Sequence, residues 1–292
     1  MPSCLMPVLR TVIQDTHQKL EAAGIPDARL EAEVLVMNVM HMARQSIFAE
    51  QETEVSEQQQ AALDEFLERR YRREPLAYIL GQREFYGINV VLTPAVLIPR
   101  PETEGLVEQT LFMALMGMES AELTIADVGT GSGAIAINLA IHLPSAKIYA
   151  VDVEDAVLDV AAYNVRVHGV ADRVNLAIGD LLDSVPEPVD LIVANLPYIP
   201  TDRISTLQLE VQQEPVLALD GGPDGLDLVR RLLNQAEDKL KGHGIILLEM
   251  DSEQIPVVQE LALQHFPEGS TSVEQDLAGM DRILVIHRQA VE

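Results

Sequence analysis

The stretch Leu123-Thr-Ile-Ala-Asp-Val-Gly-Thr-Gly-Ser-Gly133 decides the fold. Residues 123–128 form a short apolar run that reads as a buried strand, and three glycines in the next five residues make a turn. A helix follows over about residues 134–142. Glycines at such a turn allow positive φ and let the main chain come close to a ligand. The alternation continues downstream: strands at 147–151, 174–178 and 191–194, a helix to about residue 167, a helix at 226–240, a strand at 245–248, a helix at 254–264 and a last strand at 282–287. Repeated β-α-β units imply an α/β fold with a mainly parallel, doubly wound sheet.

Upstream the pattern changes. Leu9, Val12, Ile13, Leu20, Leu30, Val34, Leu35, Met37, Val39 and Met40 recur mostly at helical spacings. Gly24-Ile25-Pro26 breaks the first helix, Asp27 is placed to cap the next, and residues 58–71 read as another. Residues 84–98 read as extended chain with a turn at Gly87. The expected organisation is a small helical bundle over residues 1–80, a hairpin linker over 81–98 and the α/β domain over 99–292.

Composition narrows the function. Of 292 residues, 48% are apolar, enough for one large domain and a smaller one. The single cysteine, Cys4, excludes a disulfide framework and a cysteine-based zinc site. Residues 1–13 carry their first positive charge only at Arg10, behind the apolar residues, so no secretory signal is expected there. No uncharged apolar stretch is long enough to span a membrane, and a cytoplasmic location is expected. The net charge is −26. A surface that negative repels a phosphate backbone, so no direct nucleic-acid partner is expected. Residues 1–90 hold 9 basic and 14 acidic side chains, and the rest hold 11 and 32. The only basic run is Arg69, Arg70, Arg72 and Arg73, which is either a solvated helix face or a docking patch. The histidines show no paired metal spacing, so no metal is expected.

Ligands of an open α/β sheet bind beyond the carboxyl ends of its strands. Gly129, Thr130, Gly131, Ser132 and Gly133 follow the strand that ends at Val128. Gly129, Gly131 and Ala134 also satisfy a dinucleotide pattern, so the glycine run alone leaves the nucleotide open. Asp152 ends the next strand, where it either accepts from ribose hydroxyls or caps a helix. Asp180 ends the third, where it either accepts from an adenine amine or holds a turn. A glycine loop, a ribose acid and an adenine acid on successive strands fit the S-adenosylmethionine-dependent methyltransferase arrangement.

After the fourth strand comes Asn195-Leu196-Pro197-Tyr198-Ile199-Pro200. Methyl transfer to a planar nitrogen needs two acceptors that hold its N–H bonds and aim its lone pair. The Asn195 side-chain oxygen supplies one and the Leu196 carbonyl the other. Pro197 biases Leu196 towards extended geometry, and Tyr198 offers a ring to pack against the planar group. Glu249, at the end of a buried strand, reads either as a structural hydrogen-bonding group or as support for this loop.

These residues resemble the HemK/PrmC family of peptide chain release factor glutamine methyltransferases. Glu74-Pro-Leu-Ala-Tyr-Ile-Leu-Gly81 is similar to that family's linker, and Leu97-Ile-Pro-Arg-Pro-Glu-Thr-Glu104 to the opening of its catalytic domain. Glu214-Pro215, Ala218-Leu219 and Gly221-Gly-Pro-Asp-Gly-Leu226 resemble a third block, and residues 276–282 a C-terminal signature. The resemblance implies a Rossmann-like, seven-stranded class I methyltransferase domain. It implies that Gly129 to Gly133, Asp152 and Asn195 contact S-adenosylmethionine and that Asp180 and Leu181 flank its adenine. It further implies that Asn195 to Tyr198 hold the glutamine of a Gly-Gly-Gln motif. The helical domain, arginine run included, would dock the rest of the release factor, and the enzyme would act as a monomer. The family's loop reads Asn-Pro-Pro-Tyr, and here Leu196 stands in the second place. Asn-Leu-Pro-Tyr also resembles the loop of ribosomal RNA adenine dimethyltransferases. The alternatives are therefore a ribosomal-protein glutamine or a nucleic-acid amino group as acceptor.

Overall fold

The computed structural model describes residues 6–116 and 122–289. Cys4 and the start of the 1–13 stretch lie outside them. The chain divides into two units, one running to Gly81 and including Leu209–Gln213, the other formed by Gln82–Gln208 and Glu214–Glu292.

The first unit is helical: α1 (Leu9–Ala22), α2 (Ala28–Met40), α3 (Arg44–Ala49), α4 (Glu57–Tyr71) and α5 (Leu76–Leu80). Leu9, Val12, Leu20 and Leu35 pack into one buried cluster with Ile47 and Leu63, so most of the apolar spacing marks inner faces, whereas Leu30 is 51% exposed. Asp27 flanks α2 as expected, but its side chain makes no capping bond. The cap that does form is on α4, where Ser56 Oγ accepts from Gln59 N and Gln59 Oε1 accepts from Ser56 N.

The arginine run is largely an internal knot. Arg70 is buried and donates to Glu31 and to Glu210 Oε1 at 3.0 Å. Arg69 pairs with Glu74 and donates to the carbonyls of Tyr78 and Ile79. Arg73 donates to the carbonyls of Ala23 and Gly24, and to Glu210. Arg72 alone of the four is exposed. Three of the four guanidiniums are therefore committed within the unit, and only Arg72 matches the reading of a solvated helix face.

The second unit begins with an antiparallel hairpin, β1 (Gln82–Phe85) and β2 (Ile88–Val91), turning through Tyr86 and Gly87 at positive φ. The hairpin groups with this unit and is not a separate linker. Then follow α6 (Pro101–Met116), β3 (Thr124–Val128), α7 (Ala134–His142), β4 (Lys147–Asp152), α8 (Asp155–Val167), β5 (Val174–Ile178) and β6 (Val189–Ala194). The unit ends with α9 (Asp227–Lys239), β7 (Leu240–Glu249), α10 (Ile255–His265), β8 (Ser270–Gln275) and β9 (Asp281–His287).

The seven-stranded sheet has the order β5-β4-β3-β6-β7-β9-β8. Its first five strands are parallel, and β9 and β8 close the edge antiparallel. The chain winds outward from β3 to β5 and returns past β3 to β6. This reversal opens a crevice at the carboxyl ends of β3 and β6. Ala126, Val128, Ile192 and Ala194 face one core with α9 and α10, including Leu232, Leu233, Val258 and Ala262. Two elements depart from the reading of periodicity. Strand β8, Ser-Thr-Ser-Val-Glu-Gln, is half-exposed at the sheet edge and lacks a buried face to mark it. Helix α6 starts at Pro101 with Glu102 and Glu104 in its first turn, a helix-start signature hidden inside the Pro-Arg-Pro-Glu-Thr-Glu motif.

Candidate active site

Gly129, Gly131 and Gly133 all take left-handed φ, at +73°, +56° and +81°. The turn they make is fastened from below. Asp127, fully buried on β3, accepts from Thr130 Oγ1 at 2.6 Å and Ala136 N at 3.1 Å. Burial pushes its carboxyl up to about 7. Asp152 fastens the turn from the side, because its Oδ2 accepts from Gly131 N at 3.0 Å. Its Oδ1 accepts from Val153 N, and burial raises this carboxyl too. Asp152 does not cap α8, whose cap position is Glu154.

A cavity of about 630 Å³ opens at the crevice. Gly129, Gly131, Asp152, Asp180, Leu181, Asn195, Leu196 and Pro197 line it, together with residues of the 94–97 and 215–218 segments. Eight expected site residues, drawn from four strand ends, thus come together. Thr130, Ser132, Gly133 and Tyr198 are not part of the lining. Thr130 serves Asp127, and the Ser132 carbonyl accepts from Asn164 Nδ2 at 2.9 Å. Gly133 leads α7, where a Cβ would meet Ala161 at 3.5 Å. Asp180 is already engaged, paired with Arg231 of α9, which shares the lining. Leu181 holds φ at +57°, a strained conformation for a residue with a Cβ.

The segment after β6 is gripped by the glycine block. Ile199 N donates to Leu219 O at 3.0 Å and Gly221 N to Ile199 O at 2.9 Å, a short parallel pairing. A Cβ on Gly221 would meet Pro197 O at 2.6 Å, and one on Gly225 would overlap Tyr198 O. Only glycine permits backbones this close. Gln254 Nε2 donates to Tyr198 O at 2.9 Å and Asp224 O at 3.1 Å, tying the two segments together. Leu196 is buried, and a Cβ on Gly129 would meet its Cδ2 at 3.2 Å. The leucine thus packs under the glycine turn. Burial pushes the half-buried Tyr198 phenol up to about 12.

Three contributors escape a reading by motif. Asn164 on α8 exchanges two hydrogen bonds with the Val91 backbone, fixing the β1–β2 hairpin beside the Ser132 carbonyl. Arg231 occupies Asp180. Thr103 Oγ1 accepts from Asn195 Nδ2 at 3.0 Å. Among the described residues no group of three or more His, Cys, Asp or Glu could hold a metal ion, and no helix is long and apolar enough to cross a membrane.

Comparison with known proteins bears on this site. Residues 11–81 match the PrmC N-terminal domain, and residues 109–213 match the ribosomal protein L11 methyltransferase (PrmA) model. A release factor glutamine methyltransferase of Moorella thermoacetica is 42% identical, with 96% of this chain and 99% of that protein aligned. This chain belongs to the release factor glutamine methyltransferase family. Family members from Coxiella burnetii and Geobacter sulfurreducens are 38% and 37% identical over 89% and 94% of this chain, and 92% and 95% of theirs. Among solved structures, the hMettl16 catalytic domain in complex with MAT2A 3′UTR hairpin 6 aligns with TM-score 0.55 at 18% identity. That alignment covers 76% of this chain and 82% of that one. A methyltransferase from Pyrococcus furiosus aligns with TM-score 0.51 at 17% identity, over 81% and 100%. These two share the fold. As a release factor glutamine methyltransferase family member, the chain is an S-adenosylmethionine-dependent enzyme. The cavity fits that cofactor: it has the size of a small-molecule site, apolar walls, and carboxylates at the ends of β4 and β5.

Proposed function

We propose that this chain methylates the side-chain amide nitrogen of the glutamine in the Gly-Gly-Gln motif of peptide chain release factors, acting in the cytoplasm as a monomer. The observation that carries the reading is the position of Asn195, Leu196 and Pro197: they line the same cavity as the glycine turn, at the carboxyl end of β6. S-adenosylmethionine, when bound, supplies an electrophilic sulfonium methyl.

The chain's own residues do the rest. Gly129 and Gly131 offer main chain that a cofactor can approach closely. Asp152, already accepting from the backbone of Gly131, Val153 and Glu154, keeps about one lone-pair site for a ribose hydroxyl. Asp180, in the cavity lining beyond β5, would accept from an adenine amine, with Arg231 as the partner it already holds. The lone pair of an amide nitrogen is delocalised, so the nitrogen must be aimed before it can attack. The Asn195 Oδ1 and the Leu196 carbonyl are the two acceptors that aim it, and each costs little to reorganise because the loop is pinned by Leu219, Gly221 and Gln254. The role at position 196 belongs to a carbonyl, which leucine and proline share. Leucine's packing beneath Gly129 supplies the rigidity that a proline ring would give.

The test is methyl transfer from labelled S-adenosylmethionine to a purified release factor, beside a copy with the Gly-Gly-Gln glutamine changed to alanine. Label on the first and none on the second is the expected result. Label on neither, with cofactor binding intact, overturns it in favour of a ribosomal-protein or RNA acceptor.

A further inference from the structure

Asn195 can serve as an acceptor only if its carboxamide presents oxygen, and a carboxamide has two orientations of almost identical shape. Something must choose between them. Its nitrogen carries two N–H donors. One goes to Thr103 Oγ1 at 3.0 Å, and the Glu249 carboxyl, which follows the paired Ala194 and Leu248 of β6 and β7, interacts electrostatically with both the Asn195 and the Thr103 side chains. Three elements meet in this cluster: Asn195 follows β6, Thr103 lies in the first turn of α6, and Glu249 ends β7.

The polarity of the chain follows from the acceptor-only nature of a carboxylate. A hydroxyl can point either way, so Thr103 alone decides nothing. Ionised Glu249 only accepts. It takes the Thr103 proton, which leaves Thr103 Oγ1 as an acceptor for the Asn195 nitrogen. The second N–H of that nitrogen faces the same carboxylate, one residue beyond the Ala194–Leu248 pair. Both amide donors are then spent, and Oδ1 is the one group left to offer. Glu249 and Thr103 are both buried, at 3% and 4% exposure, and neither lines the cavity. Glu249 Oε2 has no hydrogen-bond partner. A buried carboxyl with an orphaned oxygen is a poor stabilising device. Its presence makes sense as a means of setting direction.

We propose that Glu249, acting through Thr103, is a positioning residue that locks the Asn195 carboxamide with its oxygen towards the acceptor amide. The inference rests on Asn195 being the acceptor for that amide. Glutamine at position 249 would reverse the logic, since its NH2 can donate to Thr103 or to Asn195 Oδ1 and turn the amide over.

The experiment compares Glu249→Gln, Asn195→Ala and the double variant in the full chain, with labelled transfer to a release factor and calorimetry with S-adenosylhomocysteine. Glu249→Gln is expected to lower kcat between about 10- and 100-fold, as misplacing a reacting group does. Its S-adenosylhomocysteine affinity should stay within about threefold. In the Asn195→Ala background the same substitution should cost less than about twofold, because residues acting as one unit are not additive. An equal penalty in both backgrounds overturns the proposal, as does unchanged kcat in the single variant.

The wild-type pH profile gives a second readout. Burial, opposed by the bonds from Thr103 and Asn195 and by the Arg282 charge, and aided by Glu102, pushes Glu249 up to about 7. The Tyr198 phenol also feels Glu249 and stays neutral throughout this range. Protonation makes Glu249 a donor, so kcat should fall below about pH 7, and Glu249→Gln should lose that limb. A profile limb that persists in the variant overturns the assignment. Should Glu249→Gln not fold, Thr103→Val and Thr103→Ser decide: the first should lose turnover and the second, which keeps the hydroxyl, should recover most of it. Equal activity in the two overturns the proposal. Wild-type enzyme that leaves the release factor unlabelled defeats the functional reading and this inference with it. Labelling by wild type and Glu249→Gln alike defeats the inference alone.

Discussion

Asp152 Oδ2 accepts the Gly131 N–H at 3.0 Å, joining the end of β4 to the middle of the glycine turn that follows β3. One carboxylate therefore shapes the turn and faces the cavity. Asp152→Ala removes the proposed ribose acceptor and frees the Gly131 amide at once. The expected outcome is weaker binding of S-adenosylhomocysteine with a smaller change in the single-turnover rate at saturating cofactor. Calorimetry showing unchanged affinity would remove Asp152 from the site.

Asn195→Ala deletes a positioned acceptor without touching the glycine turn. Turnover should fall by about 100-fold or more, the scale seen when a preorganised polar group is lost from a reacting centre. Cofactor affinity should change only a few-fold. Normal turnover by this variant would sink the mechanism.

Arg70 and Arg72 make a matched pair in the helical unit. Arg70 is buried between Glu31 and Glu210, so Arg70→Ala leaves two partly buried carboxylates without their partner and should cost about 1–3 kcal/mol in urea unfolding. Arg72 is exposed, and Arg72→Ala should fall within about 0.5 kcal/mol of wild type. Equal effects would show that the knot does not carry the stability assigned to it.

Asp127 gives a pH dependence with a definite sign. Burial raises its folded value from 3.8 to about 7, so its contribution to stability is fully present below the unfolded value and is lost as pH rises through about 7. Between pH 5 and pH 8 wild type should therefore lose more stability than Asp127→Asn, whose amide does not titrate. Urea midpoints at the two pH values measure this, and parallel shifts would contradict it.

Much of the geometry of the candidate site is written locally. The glycine turn needs positive φ at three alternate positions, and few residues but glycine supply it, so Gly129, Gly131 and Gly133 stand out. Asn195-Leu-Pro-Tyr is equally legible because its place after a strand fixes where it can act. Other features depend on partners far along the chain. Arg70 looks like part of a basic run until Glu31 and Glu210 are found 39 and 140 residues away. Thr103 reads as one letter of a motif, and its meeting with Asn195, 92 residues on, follows only from α6 packing over the ends of β6 and β7. Strand β8 has too little buried surface to leave a pattern, and Asp180 gives no hint of the arginine one helix later that holds it.

Leu209–Gln213 belongs to the helical unit although it lies between Tyr198 and Glu214 in the chain. The polypeptide therefore passes from one unit to the other three times, after Gly81, after Gln208 and after Gln213. A cut at Gly81 does not separate two modules. It strands Glu210 without Arg70 and Arg73, and Gln213 without the Arg72 carbonyl, in the same connection that carries the segment after β6 into the glycine block. Swapping helical units between relatives to change substrate preference would need two exchanged segments, and a single-crossover chimera should inherit a mismatched Glu210.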